Sequence, residues 1–377
     1  MIYQGNQFLY VVFIAFVITA TVQIFYYLWF YLAVSVYRHR AGTDEKIPVS
    51  VIICARNEAE NLREFLPSIL EQNYSDFEVI VVNDCSEDDT YDVLGTFLPK
   101  YPHLRISTIN KDPHFTHNKK FAQFIGIKAA TNEILLFTDS DCQADSENWI
   151  EGMTSQFINN EIDFVLGYGG YMKKKGILNK YIRYDTFTIA LQYIGMAIRG
   201  VPYMGVGRNL AFRKSLFFKK KGFGSHSNVL SGDDDLFVNS NANKSNTRIE
   251  FRKKSHTRSM PCSTFKEWVA QKKRHLTTAH FYRLRDKLLL IIEPFSRILF
   301  YLTFIILVSL HPLWNPVLII FGLRIISQII VFSLGQRRLN EPGITVYSLF
   351  FDIFSPLING ILYLSNTGSR SGKNRWK

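Results

Sequence analysis

The chain has 377 residues, 47% of them hydrophobic, which is enough for one large domain or two smaller ones. Its formal net charge of +12 does not point to nucleic acid, because much of the excess lies in residues 248–287, before apolar segments that favour a membrane surface. The four cysteines form no CxxC pair and show no metal-ligand spacing, so we expect free thiols rather than a zinc site.

Near the N-terminus, residues 8–36 contain no charged side chain and are long enough to cross a bilayer. A cleaved signal peptide would have a basic start and a shorter apolar region, but residues 1–7 contain neither lysine nor arginine. We therefore predict a retained transmembrane helix over residues 1–37. The basic residues 38–40 follow it, and the positive-inside rule then places the next segment in the cytoplasm.

From residue 48 the sequence alternates between strand and helix patterns. Apolar, β-branched runs predict strands at residues 49–54, 77–82, 104–109 and 134–137. Strands separated by helices need crossover connections, which favour a mainly parallel sheet with helices on both faces. We predict an α/β domain of this kind over residues 47–245.

Three of these strands lead into acidic residues, namely Glu58, Asp84 and the pair Asp139 and Asp141. Because parallel strands end at the same edge of a sheet, these side chains can converge on one ligand. Two carboxylates one residue apart suit a divalent cation, although the tripeptide alone is more typical of a turn with a helix cap. The sequence has neither a glycine-rich dinucleotide fingerprint nor a Walker lysine loop. This suggests a nucleotide bound through its base and ribose, with a metal neutralising the phosphates.

In their order and separation, residues 49–58, 82–86 and 138–141 resemble the nucleotide-binding half of family 2 glycosyltransferases. The resemblance implies the GT-A fold, a Rossmann-like domain with a mainly parallel sheet. It also implies transfer with inversion at the anomeric carbon, a nucleotide-sugar donor, for which we expect a UDP-sugar, and Mg²⁺ or Mn²⁺ as the cofactor.

The same resemblance assigns roles to individual residues. Glu58 and Asp84 are expected to contact the nucleoside, Asp139 the nucleotide, and Asp141 the metal ion. The segment around Lys119 resembles the family's Gly-Lys-x-x-Ala motif, with an asparagine in place of the glycine. Lys119 is therefore expected to contact the diphosphate or the nucleoside.

Three adjacent acids, residues 233–235, stand out in the second half of the chain. Crowded carboxylates raise the pKa of one member toward that of a useful base, and an inverting transfer needs a carboxylate to deprotonate the acceptor hydroxyl. The family's Glu-Asp-x-Asp-Leu pattern, aligned on Leu236, puts this base at Asp233. If the alignment is shifted by one residue, the base is Asp234. The non-functional alternative is a solvated helix cap.

Arg208 and Asn209 follow a pair of glycines in a segment that resembles the family's connection between the sugar pocket and the acceptor. Glycines allow close approach of the backbone to a ligand, and both side chains can hydrogen-bond a sugar or a phosphate. The alternative is a plain glycine turn before an amphipathic helix.

Residues 271–275 resemble the Gln-x-x-Arg-Trp motif of the membrane-integrated members of the family. Gln271 and Arg274 lie on one face of the predicted helix, so both can reach one diphosphate. The tryptophan is His275 here, which argues against processive synthesis. A basic amphipathic helix on lipid headgroups is the alternative, and one helix can serve both roles. We predict basic interfacial helices over residues 246–287.

Three apolar segments of near-spanning length follow, at residues 288–310, 316–334 and 344–364. We predict membrane segments over residues 288–366 and a basic tail over residues 367–377. Three full crossings would put this tail outside although its charge favours the inside, so one segment is expected to be re-entrant or interfacial. Arg324 and Asp352 lie within apolar runs and are expected to face protein, water or headgroups.

The sequence therefore predicts a membrane-bound inverting glycosyltransferase of cell-envelope glycan synthesis, with its catalytic domain on the cytoplasmic face of the plasma or inner membrane. It would transfer a sugar from a nucleotide sugar to a lipid or glycan acceptor. A processive polysaccharide synthase is the alternative within the enzyme class. A non-catalytic module that binds a nucleotide or a partner is a further alternative, which the intact Asp141 and Asp233 disfavour.

Overall fold

A computed structural model describes residues 2–111, 118–224, 231–310 and 315–367. The predicted basic tail lies outside these residues apart from its first position. The chain begins with one continuous apolar helix in three parts: α1 (Ile2–Phe25), a π-helical segment (Tyr26–Tyr31) and α2 (Leu32–Val36). This agrees with the helix predicted from the uncharged N-terminal stretch.

The first half of the α/β domain alternates as predicted. Its elements are β1 (Val49–Ala55), α3 (Ala59–Leu70), β2 (Phe77–Asp84), α4 (Thr90–Phe97), β3 (Leu104–Ile109), α5 (Lys119–Ala129) and β4 (Ile134–Asp139). β1 lies between β2 and β4 and is parallel to both, and β3 is parallel to β2. All seven residues of β1 are buried, as expected of a strand covered by helices on both faces.

The second half adds shorter elements. They are β5 (Cys142–Ala144), α6 (Trp149–Thr154), β6 (Phe164–Gly167), β7 (Gly169–Tyr171), α7 (Ile177–Ile198), β8 (Leu210–Arg213), α8 (Lys214–Lys219), α9 (Asp235–Asn241), β9 (Thr247–Glu250) and β10 (Thr257–Ser259). The main sheet has the order β3-β2-β1-β4-β8-β6-β9, and a second sheet has the order β5-β10-β7. β8 is antiparallel to both of its neighbours, so the sheet is mixed but mainly parallel.

The sheet domain continues past the predicted boundary at residue 245. β9 pairs with β6 in the main sheet, and β10 is the central strand of the second sheet. These strands have only four and three residues, too few for a recognisable pattern of alternation. Residues 246–287 therefore complete the sheet domain before they form the helix α10 (Phe265–Leu276), which begins with a capping box at Thr264.

Three long helices complete the described chain: α11 (Leu284–Leu310), α12 (Asn315–Arg338) and α13 (Ile344–Thr367). Within the described residues, these three and the N-terminal helix are long and apolar enough to cross a membrane, judged by length and composition. α11 packs along α1, where Phe16 stacks on Phe300 with ring centroids 5.2 Å apart.

A cluster of ionised side chains is buried among these helices. Asp352 of α13 lies 2.6 Å from Arg324 of α12 and 3.0 Å from Arg297 of α11, and Arg297 also pairs with Glu293 at 2.7 Å. Arg324 and Asp352 are completely buried, so both face protein. Two arginines and two carboxylates balance in charge, which offsets much of the cost of burying them in an apolar surround.

The π-helical segment packs against α7 at a glycine. An added Cβ at Gly195 would lie 2.1 Å from the carbonyl oxygen of Phe30, so the two backbones touch here. Nearby, the guanidinium of Arg199 donates to the carbonyl of Trp29 at 2.8 Å, which is consistent with the carbonyls that a π-helical segment leaves available.

We expect Gly195→Ala to lower the free energy of unfolding by about 1–3 kcal/mol, because its methyl group must displace backbone rather than a flexible side chain. The measurement is thermal unfolding in detergent. Gly322→Ala in α12 is the matched control, since its Cβ would meet no atom within 4 Å. Equal losses in both variants would show that the contact with Phe30 is not what makes Gly195 necessary.

Candidate functional site

The loops after β1 and β2 leave the same edge of the main sheet and are joined to each other. The side-chain oxygen of Asn57 accepts from the backbone of Glu87 at 2.8 Å, and the backbone of Asn57 donates to Ser86 at 3.0 Å. Asn57 and Cys85 both have a positive φ, 55° and 54°. Such a conformation is uncommon in residues other than glycine and marks backbone held by its surroundings.

Glu58 and Asp84 occupy different depths at this edge. Glu58 is half-buried, accepts a hydrogen bond from Asn61 at 2.5 Å, and lies close enough to Asp141 to affect its titration. Asp84 ends β2 and is completely buried. Burial, and then the neighbouring Asp84 carboxylate, raise the pKa of the Cys85 thiol. At this edge of the sheet, Glu58 is thus partly accessible to solvent, whereas Asp84 is buried.

Asp139 and Asp141 form an acid pair at the end of β4. The ligand atoms of Asp139, Asp141 and Cys142 all lie within 4.8 Å of one another. Burial, and then the charges of Asp139 and Glu58, raise the pKa of Asp141 to about 6. Carboxylates are the oxygen ligands that Mg²⁺ and Mn²⁺ prefer, and a cation would relieve the repulsion between them. The residues present therefore fit the divalent cation expected from the sequence.

Lys119 connects the acid pair to the second half of the domain. Its ammonium group lies 2.6 Å from Asp139 and 3.6 Å from Asp233. Burial lowers the pKa of Lys119, but these two carboxylates raise it well above its usual range. Asn118, which replaces the family's glycine, caps α5 by accepting from the backbone of Phe121. Lys119 is thereby held in the first turn of this helix as a permanent cation.

Two of the three adjacent acids are occupied by the protein itself. One oxygen of Asp234 caps α9 by accepting from the backbone of Asp235 at 2.8 Å, and the other accepts from the backbone of Gly207. Asp235 accepts hydrogen bonds from the hydroxyls of Thr278 and Tyr282. Burial, and then the two neighbouring carboxylates, raise the pKa of Asp234 to about 7. Both residues fix the start of α9.

Asp233 is the third acid and faces the site. It is 6% exposed, and its Oδ2 atom, which lies 3.6 Å from the Lys119 ammonium group, has no hydrogen-bond partner among the described residues. A carboxylate oxygen in this position can still accept a proton from a ligand. The geometry therefore favours Asp233 over Asp234 as the base.

Arg208 reaches the same edge from the second half. Its guanidinium donates to the carbonyl of Gly169 at 2.9 Å, and it stacks 4.7 Å from the centre of the Tyr171 ring. Its charge acts on both Asp139 and Asp141. Arg208 is thus a cation held in place beside the acid pair, which is what binding a phosphate requires.

Asn209 does not fit the expected ligand contact. It is completely buried, and its amide group donates to the carbonyls of Tyr168 and Ser255, at 2.8 and 2.7 Å. Its oxygen accepts from the indole of Trp149 at 3.0 Å. These bonds use the side chain to join separate segments of the domain, so it faces no ligand.

Helix α10 reaches the site through Gln271 and Arg274. The oxygen of Gln271 accepts from the hydroxyl of Tyr171 at 3.4 Å. Burial raises the pKa of Asp139, but the charge of Lys119 and, more weakly, the charges of Arg208 and Arg274 lower it. The positive charge of Arg274 therefore acts on the acid pair. Gln271, through Tyr171, and Arg274, through its charge on Asp139, thus reach the same site as Arg208.

His275 replaces a large aromatic side chain with a small one. Its side chain is exposed. Desolvation, and then the charges of Arg274 and Lys272, lower the pKa of His275. The imidazole is therefore neutral at physiological pH and acts as a hydrogen-bonding group, with less stacking area than an indole.

Sequence reasoning missed Tyr171. Its hydroxyl accepts from Arg208 at 3.3 Å and donates to Gln271, so it joins the two predicted ligand-binding segments. The only signal in the sequence is an aromatic residue after Gly169 and Gly170, which is too common to identify a site.

Together these features define a class. An acid pair at the carboxyl edge of a Rossmann-like sheet, faced across a lysine by a further carboxylate, is the arrangement of a GT-A glycosyltransferase domain. Residues 50–218 match the family model described as glycosyl transferase family 2. This part of the chain is therefore similar to that family.

Relatives and a solved structure agree with this assignment. The glycosyltransferase AglE of Haloferax volcanii is 32% identical over 142 residues, which cover 37% of this chain and 45% of the relative. The UDP-Glc:α-D-GlcNAc-diphosphoundecaprenol β-1,3-glucosyltransferase WfaP of Escherichia coli is 25% identical over 178 residues, 41% of this chain and 65% of the relative. This chain therefore spans less than two thirds of either relative.

The mannosyltransferase PcManGT of Pyrobaculum calidifontis, solved in complex with GDP-Man and Mn²⁺, is similar in fold. The TM-score is 0.57 over 92% of this chain and 99% of the other, at 15% sequence identity. At this identity the likeness shows the fold alone, and its coverage includes long apolar helices as well as the sheet domain.

Proposed function

We propose that the protein is a membrane-bound inverting glycosyltransferase that uses a nucleoside-diphosphate sugar, with a UDP-sugar expected, and a lipid-linked or glycan acceptor. One observation carries the proposal. The Oδ2 atom of Asp233, which has no hydrogen-bond partner among the described residues, lies 3.6 Å from the same Lys119 ammonium group that contacts Asp139 of the acid pair at 2.6 Å. A candidate base and a candidate metal site are thus held on opposite sides of one cation.

The donor would bind along the edge of the main sheet. Glu58 would contact the nucleoside, supported by Asp84 beneath it. The diphosphate would lie among the cations and amide that meet there: Lys119, Arg208, Gln271 and Arg274. Asp141, with Asp139, would hold Mg²⁺ or Mn²⁺, which when bound supplies positive charge to the leaving diphosphate. His275 would contact the acceptor.

The transfer itself needs one proton acceptor. As the acceptor hydroxyl oxygen forms its bond to the anomeric carbon, Asp233 takes the hydroxyl proton, and the bond from that carbon to the diphosphate oxygen breaks with its electrons. Attack from the face opposite the leaving group inverts the configuration. Arg208 and Lys119 stay in place and stabilise the charge that develops on the diphosphate.

The comparisons support a lipid-linked acceptor and leave the nucleotide for experiment to decide. WfaP is named for UDP-Glc and a diphosphoundecaprenol acceptor, and PcManGT was solved with GDP-Man. The donor panel must therefore include both uridine and guanosine nucleotides. We further propose that the sheet domain lies on the cytoplasmic side, because basic residues follow the first membrane helix.

The test is donor hydrolysis by the detergent-purified protein over a panel of UDP- and GDP-sugars, with and without Mn²⁺ or Mg²⁺. We expect one nucleotide to be released in a metal-dependent reaction. Asp141→Asn should lower that release by about 10²-fold or more, because the ion loses a charged ligand.

Asp92→Asn, an exposed carboxylate on α4, is the matched control and should leave the rate unchanged. Metal-dependent binding of a nucleotide sugar without turnover, even when lipid-linked acceptors are added, would favour a binding module. If the protein bound no nucleotide sugar with any metal, the enzyme proposal would fail.

A further inference from the structure

The last described helix, α13, has 24 residues and is apolar enough to span a membrane. Such a helix is about 36 Å long, so in a spanning orientation its two ends would lie on opposite sides of the bilayer. The contacts of its two ends can therefore be compared with this expectation.

The start of α13 is attached to the sheet domain. Glu341, in the loop before it, is 1% exposed and pairs with Arg183 of α7 at 2.6 Å and with Arg258 of β10. The hydroxyl of Tyr168 also donates to Glu341, at 2.9 Å. β10 is hydrogen-bonded to β5, the strand that follows Asp141. This end of α13 thus lies on the side of the donor site.

The far end of α13 is attached to the same domain. The amide of Asn366 donates to the carbonyl of Lys273 in α10 at 2.6 Å. About two helical turns earlier, Asn359 contacts Asp185 of α7 at 3.4 Å, and Asp185 pairs with the buried Lys272 of α10 at 2.6 Å. α10 is the helix that carries Gln271 and Arg274. Both ends of α13 are therefore on one side.

Between its ends, α13 covers α7 with one face. The ring of Phe351 lies 5.1 Å from Tyr181 and 5.4 Å from Tyr184, and Tyr347 lies 4.6 Å from the ammonium group of Lys180.

The other face is exposed, apolar and repeats every three or four residues. It is formed by Val346, Leu349, Phe350, Ile353, Phe354, Leu357, Ile361 and Leu364. The adjoining helices α11 and α12 also expose apolar residues, so the face continues a surface that lipid must cover.

We infer that α13 lies in the membrane interface instead of crossing it, with this apolar face in the acyl region and both ends on the donor-site side. Its occupant is the lipid monolayer. α1, α11 and α12 are then the crossings among the described residues, since α12 ends beside α2, where Arg338 donates to the carbonyl of Tyr37. The end of α13 then lies on the donor-site side, where the positive-inside rule also favours the basic residues that follow it in the sequence.

The depth of α13 can be measured with spin labels in the full chain reconstituted into vesicles. Leu349→Cys and Leu364→Cys are 15 positions apart, or about 22 Å along the helix. We expect nearly equal depths from the accessibility of the labels to oxygen and to a water-soluble nickel complex. Ile319→Cys and Leu334→Cys, at the same spacing on exposed positions of α12, are the matched control and should differ in depth.

The unsubstituted chain gives the background signal from its own cysteines. A depth difference in α13 as large as that in α12 would overturn the inference. A second measurement uses an epitope tag after residue 377 and protease digestion of vesicles of each orientation. The tag should be digested in the preparation in which the sheet domain is digested, and digestion in the opposite preparation would also overturn it.

Discussion

Asp233→Asn is expected to lower kcat by about 10²- to 10⁴-fold and to leave donor affinity nearly unchanged, because the amide keeps the size of the side chain but cannot accept the hydroxyl proton. Asp233 has an oxygen without a hydrogen-bond partner among the described residues, so its chemistry is not committed to the fold. The measurements are initial rates at saturating donor and acceptor, and direct titration of the nucleotide sugar.

Asp234→Asn is the matched control, with the same chemical change one position away. Asparagine also caps helices well, so the start of α9 should survive although its NH2 group cannot accept from the Gly207 backbone, and the rate should fall far less than in Asp233→Asn. If the two variants lost rate equally while their unfolding temperatures matched that of the original protein, the base would have to be assigned to Asp234.

Asp352→Ala is expected to destabilise the protein by about 3–5 kcal/mol, because Arg324 would be left buried among the helices without a carboxylate and Arg297 would lose one of its two partners. Tyr301 also donates to Asp352, at 2.7 Å, and would lose its acceptor. The measurement is the unfolding midpoint in detergent, followed by the yield of folded protein.

The double variant Asp352→Leu with Arg324→Met separates charge from packing. Replacing a buried ion pair by apolar side chains of similar volume is often neutral, so this variant should recover much of the loss. Arg297 keeps Glu293 at 2.7 Å and remains compensated. A double variant as unstable as Asp352→Ala would mean that the hydrogen bonds, rather than the unpaired charge, carry the effect.

The parts of the molecule that could be predicted from the sequence are those with long, regular patterns. β1 to β4 are buried β-branched runs, and their acidic ends meet because parallel strands share an edge. Asp139, Asp141 and Lys119 therefore lie together as expected, although their roles in binding remain proposals. The mainly parallel fold class is confirmed.

The remaining features depend on contacts that are distant in sequence. Nothing in the sequence indicates that Asn209 would be enclosed by Trp149 and two carbonyls, or that Tyr171 would join Arg208 to Gln271. The strands β9 and β10 are too short to recognise by alternation. The length and hydropathy of α13 are those of a spanning helix, and only the contacts of Glu341 and Asn366 distinguish the two orientations.

The pairing of Glu341 with Arg183 and Arg258 also limits how the protein can be divided. The family match ends at residue 218, which invites excision of a soluble catalytic fragment. A fragment ending there would keep Arg183, 4% exposed, without the carboxylate of Glu341, and would lack Arg258 together with its strand β10. Glu341, in the loop between the last two helices, is therefore part of the interior of the sheet domain. The end of the family match thus does not mark the boundary of an independently folding unit.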